Sequence, residues 1–149
     1  MAWATIHSGH HHLKWDRDLE PALIAAPGDT VELHCLDASG GRIRQDSRHA
    51  DVLDLDPERA NPVTGPIYVD GVQPGDALIV DILDLDLGAW GWTALIPGFG
   101  LLADEFPDPY LHVSGYDTDS VALTPEIRLP TRPFPGTVGV APAAPGRHH

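Results

Sequence analysis

The sequence predicts a mostly β fold with little helix, and three observations carry that expectation. Glycine and proline each occur 15 times among 149 residues, spread along the chain without a period. Sustained helices do not survive such punctuation, because proline breaks them and an internal glycine costs about 1 kcal/mol relative to alanine. Two apolar segments each follow the same turn-forming triplet, Pro27-Gly28-Asp29 and Pro74-Gly75-Asp76. Within the first of these segments apolar and polar residues alternate, the period of a strand with one wet face.

The elements follow in order. His7, His10, His11 and His12 open the chain, and Lys14 and Trp15 follow at once, so the group reads as native sequence. In TVELHCLD (30–37), Val31, Leu33 and Cys35 alternate with Thr30, Glu32 and His34, which predicts a half-buried strand with the Cys35 thiol turned inward and inert. Residues 50–58 are mixed, and a helical turn and a strand fit equally. GPIYVDG (65–71) predicts a short strand held between glycines. ALIVDILDLDL (77–87) is apolar on both faces and then alternates leucine with aspartate, which predicts a central strand leaving the core.

GAWGWTALIPGFG (88–100) suits a shaped loop, with Trp90 and Trp92 on irregular backbone at the rim of a cleft or at a subunit contact. LLADEF (101–106) predicts a short helix or strand. VSGYDTDSVALTPEIRLPTRP (113–133) predicts one or two weak strands with an exposed turn at 116–120. The valines of TVGVAP (137–142) predict a strand that needs a partner to satisfy its backbone groups.

Charge and composition exclude several function classes. Twenty-two acidic against nine basic side chains give a formal charge of −13, which repels nucleic acid and anionic membranes. No apolar run approaches the roughly 20 residues needed to cross a bilayer as a helix. The single cysteine rules out an intramolecular disulfide framework. The opening residues lack both the basic and the apolar region of a secretory signal, so the expected location is cytoplasmic.

Three features carry chemistry. Neutral imidazoles bind zinc and similar ions, although adjacent histidines cannot all face one ion and a solvated N-terminus explains the group as well. Asp51, Asp54 and Asp56, and again Asp81, Asp84 and Asp86, place carboxylates two apart, hence on one face of a strand, where a pair holds a hard cation or shares a proton. Alternating leucines make the second set the outer face of a half-buried strand; for the first, site and surface stand about even. Large aromatics beside glycines at 90–100 wall a small pocket, plug a core or make a subunit contact.

The strings WDRDLEPALIAAPGDTVELHCLDASGGRI, NPVTGPIYVDGVQPGDALIVDILDLD, WGWTALIPGFGLLADEFPDPYL and PFPGTVGVAPAAPG go further. In this order and spacing they resemble the N-terminal portion of the acetamidase/formamidase family, from about His11 onward with a divergent patch at 113–124. The resemblance implies one unit over 1–149 with the C-terminal part of the family fold absent, a sandwich or jelly-roll-like β domain that is an incomplete portion of a larger fold. It implies a hydrolase acting on the carbon–nitrogen bond of short linear amides, formamide or acetamide to carboxylate and ammonia, and a homo-oligomer.

By position it carries over His11, His12, Trp15, Asp37, Asp51, Asp54, Asp56, Asn61 and the loop from Trp92 to Gly100. The roles expected are catalytic for Asp51, Asp54 and Asp56, and substrate-binding for Trp15, Asn61, Trp92 and Phe99. His11 and His12 are the expected ligands of a divalent ion, zinc or calcium. Asp76 matches too, but a turn role explains it, and His49 matches no family histidine. The family continues past the PFPGTVGVAPAAPG-like segment into stretches rich in Asp, His, Gln and Glu, so the expectation is an enzyme portion inactive alone. The rival expectation is a non-catalytic β domain that binds or docks.

Overall fold

A computed structural model describes residues 3–117 and 119–148. It is mostly β: ten short strands and two 3-10 helices, at His49–Asp54 and Pro57–Arg59, among the described residues. The chain forms two compact units, one of Met1–Gly41, Pro57–Asp81 and Gly136–His149, the other of Arg42–Asp56 and Ile82–Pro135.

The first unit holds three two-stranded ladders. Strand β1 (Trp3–Ile6) runs parallel to β4 (Thr30–Leu33), with Ile6 opposite Leu33 at the end of the ladder. Strand β2 (His11–His12) pairs antiparallel with β5 (Val63–Thr64), and β3 (Leu23–Ala25) runs parallel to β6 (Ile67–Val69). Ile6 and Ala25 are its buried apolar residues. The two Pro-Gly-Asp triplets make the same turn. Asp29 accepts from the Ala26 amide at 3.0 Å and Asp76 from the Gln73 amide at 2.8 Å. The glycines between sit at φ of 89° and 104°, the left-handed region that costs glycine nothing.

The second unit is built on β7 (Trp90–Leu95) and β8 (Tyr110–Gly115), antiparallel with Trp92 opposite Val113. Its core is Ile43, Val52 and Leu111, with Trp90, Trp92, Ala94, Ile96 and Val113 packed against it. The even-numbered residues of β7 share one face by the two-residue period, which is why the indoles and Ala94 reach the same core. Gly91, on the other face, admits the Tyr116 ring: a Cβ there would stand 3.0 Å from it. Strands β9 (Ser120–Ala122) and β10 (Arg128–Pro130) form the remaining ladder. The mixed stretch at 50–58 resolves as the two 3-10 helices. The first is fixed by a reciprocal pair, the Asp51 amide to the Arg48 carbonyl at 3.0 Å and the Arg48 amide to the Asp51 carboxylate at 2.7 Å.

Five expectations are corrected. Trp90 and Trp92 lie in a paired strand, not a loop, because Gly91 supplies room for a ring instead of breaking the ladder; the irregular backbone follows the strand, at 96–100. Cys35 is exposed, and so is Leu33 before it: the ladder ends at Leu33, and the inward alternation does not reach beyond Val31. Residues 77–87 form no ladder among the described residues. Leu78, Ile79, Val80, Ile82 and Leu83 are exposed, and apolar β-formers make a strand only where a neighbour accepts their backbone groups. The same holds for 137–142, where Val138 and Val140 are exposed, and 101–106 makes one isolated turn closed by Phe106 to Leu102. No helix is long and apolar enough to cross a membrane among the described residues.

Candidate functional site

The first unit contains a cleft of about 240 Å³. Its wall starts with Trp15, whose amide donates to the His148 carbonyl at 2.9 Å while the His148 amide donates back at 2.8 Å. That double bridge draws the segment 136–148 against the N-terminal residues. The indole then lies on Gly139 so closely that a Cβ there would stand 2.8 Å from Cη2; only glycine leaves the space. Arg17 fastens the same segment by donating to the Ala143 carbonyl at 2.7 Å.

His12 meets the Trp15 ring edge-on, with centroids 5.5 Å apart. Its Nδ1 lies 2.9 Å from the Lys14 carbonyl. A carbonyl only accepts, so Nδ1 bears the hydrogen and the neutral ring keeps its lone pair on Nε2. Lys14 is four-fifths buried and pairs with Glu58 at 2.8 Å. Asn61 turns the chain at φ of 54°, a left-handed conformation that asparagine tolerates better than most residues, and its amide donates to Ala38 at 2.9 Å. His12, Lys14, Trp15, Asn61 and Thr137 all line the cleft. A lining that includes an aromatic residue, a lysine, an asparagine, a threonine and a histidine suits a small, neutral, polar molecule with both donors and acceptors.

Three of the sequence-derived site residues, His12, Trp15 and Asn61, therefore share one cleft. Asp51, Asp54, Asp56, Trp92 and Phe99 belong to the second unit. There the Asp51 carboxylate caps a 3-10 helix, the Asp54 carbonyl accepts from Arg42 at 3.4 Å, Trp92 packs on the core and Phe99 is exposed. Asp37 serves a turn, accepting from Ser39 and from the Gly41 amide.

His11 holds the Ser8 carbonyl through Nδ1 at 2.8 Å, and as a strand neighbour of His12 its side chain points to the opposite face. No three His, Cys, Asp or Glu side chains converge to hold an ion among the described residues. His49 accepts the Leu111 amide at 2.8 Å and stacks on Tyr110, a structural role. Lys14, Glu58 and Thr137 escaped the sequence reading; the only signal for them was adjacency to Trp15, to Pro57 and to the final valine run.

The chain is mostly strand and corresponds to one portion of a larger fold. Residues 3–147 match the Acetamidase/Formamidase family, and the chain belongs to it. It is 34% identical over 145 residues to the formamidase of Methylophilus methylotrophus, covering 91% of this chain and 35% of that one. Its structure superposes on a predicted acetamidase/formamidase from Thermoanaerobacter tengcongensis with a TM-score of 0.89 at 29% identity, over 98% of this chain and 48% of the other. For the acetamidase of Bacillus halodurans the TM-score is 0.87 at 29% identity, over 95% and 47%. The chain thus spans about a third of the length of its curated relatives and about half of the related solved structures.

Proposed function

We propose that the cleft at Trp15 binds a short linear amide such as formamide or acetamide, and that the chain supplies the amide-binding portion of a hydrolase of carbon–nitrogen bonds. The observation that supports this reading is the convergence of His12, Trp15 and Asn61, all carried over by family resemblance, in one cleft of suitable size. In the bound state the Lys14 ammonium and the Asn61 carboxamide donate to the amide oxygen, where charge develops when water attacks the carbon. His12 Nε2 accepts from the amide nitrogen, and the Trp15 ring covers the apolar end.

A three-atom ligand gains at most about 1.5 kcal/mol per heavy atom, so formamide binds no more tightly than roughly millimolar. We propose further that the chain alone binds without turnover, hydrolysis being a property of the family-length protein. Zinc or calcium, homo-oligomeric assembly and a cytoplasmic location belong to the same proposal. The test is an ammonia-release assay on purified, monodisperse chain with formamide and acetamide, each with and without added zinc or calcium. The expected result is a rate indistinguishable from a matched blank. Turnover by the chain alone would overturn the inactive-portion reading.

A second reading, a non-catalytic β domain that docks a partner, is favoured by one observation. The β-forming segment 77–87 leaves its leucines and isoleucines exposed and its backbone outside any ladder among the described residues.

A further inference from the structure

The β1–β4 ladder carries a cluster that the amide cleft does not use. His7 and His34 extend from the ends of the two strands, and their Nδ1 atoms lie 3.2 Å apart with the rings edge-to-face at 70°. On the far side of its ring, His34 Nε2 lies 3.3 Å from Glu32 Oε1, and Thr5 donates to Glu32 Oε2 at 3.0 Å. The backbone beneath is fixed. The His34 amide donates to the Ile6 carbonyl at 2.9 Å, and the Thr64 hydroxyl donates to the His34 carbonyl at 3.2 Å.

We propose that His7 and His34 form a two-imidazole site for a divalent first-row transition ion, zinc or one like it, with both Nδ1 atoms as ligands. A tetrahedral ion with metal–nitrogen bonds of about 2.05 Å holds two ligating nitrogens about 3.3 Å apart, the separation already present. Protonation is also arranged for it. The Glu32 carboxylate only accepts, so His34 bears its hydrogen on Nε2 and keeps its Nδ1 lone pair. A carboxylate behind a ligating histidine orients the ring and raises its basicity.

With both rings neutral and no ion bound, the hydrogen between the two Nδ1 atoms is carried by His7. Ion binding needs only that His7 move this hydrogen to its own Nε2, a tautomer change of a neutral ring that releases no proton. His34 and Glu32 are about half exposed, so the ion enters from solvent and water completes its shell. No third His, Cys, Asp or Glu converges here among the described residues, which makes this an exchangeable site rather than a closed structural one.

The test is a titration of the full chain with zinc chloride, followed by long-range proton–nitrogen NMR of the imidazoles, which reports each tautomer. The expected result is that the first equivalent shifts His7 and His34 together and leaves both as Nε2–H tautomers. His7→Gln and His34→Gln each lower affinity at least tenfold, Glu32→Gln lowers it by about ten- to a hundredfold, and His10→Gln leaves it unchanged. Should His34→Gln disturb the fold, His7→Gln, at an exposed strand end, carries the test alone. A first equivalent that goes to other histidines, or undiminished affinity in His7→Gln, overturns the proposal.

Discussion

Gly139→Ala isolates the contact that shapes the amide cleft. The new Cβ would stand 2.8, 3.1 and 3.2 Å from three atoms of the Trp15 indole, whereas carbon atoms pack at about 3.5–4.0 Å. The ring or the backbone must therefore move by about 0.7 Å or more. The ring cannot swing away freely, because the backbone of Trp15 is bridged twice to His148 and its edge rests on His12. Overpacking of this kind costs about 1–3 kcal/mol. Gly136→Ala, three residues earlier, is the internal reference: its Cβ meets nothing within 4 Å and its φ is not in the left-handed region. It is therefore neutral or stabilising by about 0.4–1 kcal/mol through the unfolded chain. Both variants share that entropic gain, so their difference reports the steric clash. The assay is urea unfolding followed by far-ultraviolet circular dichroism, with the Trp15 indole N–H resonance as a local probe. If the two variants agree within about 0.5 kcal/mol, the span of ordinary surface substitutions, and the Trp15 resonance stays in place, the close packing described here is wrong.

Three further outcomes are expected. Val52 is fully buried at the centre of the second core, so Val52→Ala, which removes two methyl groups, lowers stability by about 2 kcal/mol in the same unfolding assay. Asp51→Ala removes the carboxylate that receives the Arg48 amide and costs about 1 kcal/mol as a lost cap; no loss would leave that carboxylate without its structural role. The Asp117 carboxyl is held below the usual aspartate range, first by the Ser120 amide, then by the Asp119 amide and by Arg128. A depressed carboxyl stabilises the folded turn fully above its ordinary range and loses that contribution as pH falls through the depressed value. The Ser120 amide resonance therefore titrates with a midpoint below that of a free aspartate, and a midpoint at or above it contradicts the assignment.

The fold class was legible in the sequence because glycine and proline set where ladders can and cannot run. The repeated Pro-Gly-Asp turn was legible for the same local reason: the aspartate side chain reaches back three residues and the glycine takes the positive φ. The strand at 67–69 and the two weak strands at 120–122 and 128–130 needed only short-range pattern. Trp90 and Trp92 misled because glycine beside tryptophan reads as a loop, whereas Gly91 admits Tyr116, a residue 25 positions away. The segments 77–87 and 137–142 misled in the opposite sense, since a strand is a property of a pair and pattern alone supplies one partner. Of the candidate site, Trp15, His12 and Asn61 were legible through resemblance. The Lys14–Glu58 pair and the His7–His34 contact were not, because each joins residues 27 or more positions apart with no local signature.

The measurement that bears most directly on the central claim is an acetamide titration of the chain monitored at the Trp15 indole N–H, assigned by Trp15→Phe. The chain contains four tryptophans, so Trp3, Trp90 and Trp92 serve as references in the same spectrum. The account predicts a saturable shift of Trp15 alone, with a midpoint no tighter than about 40 μM for a ligand of four heavy atoms, and its loss in Asn61→Ala. A Trp15 signal that does not move, or that drifts linearly in step with the other three, would show that the cleft is not an amide site.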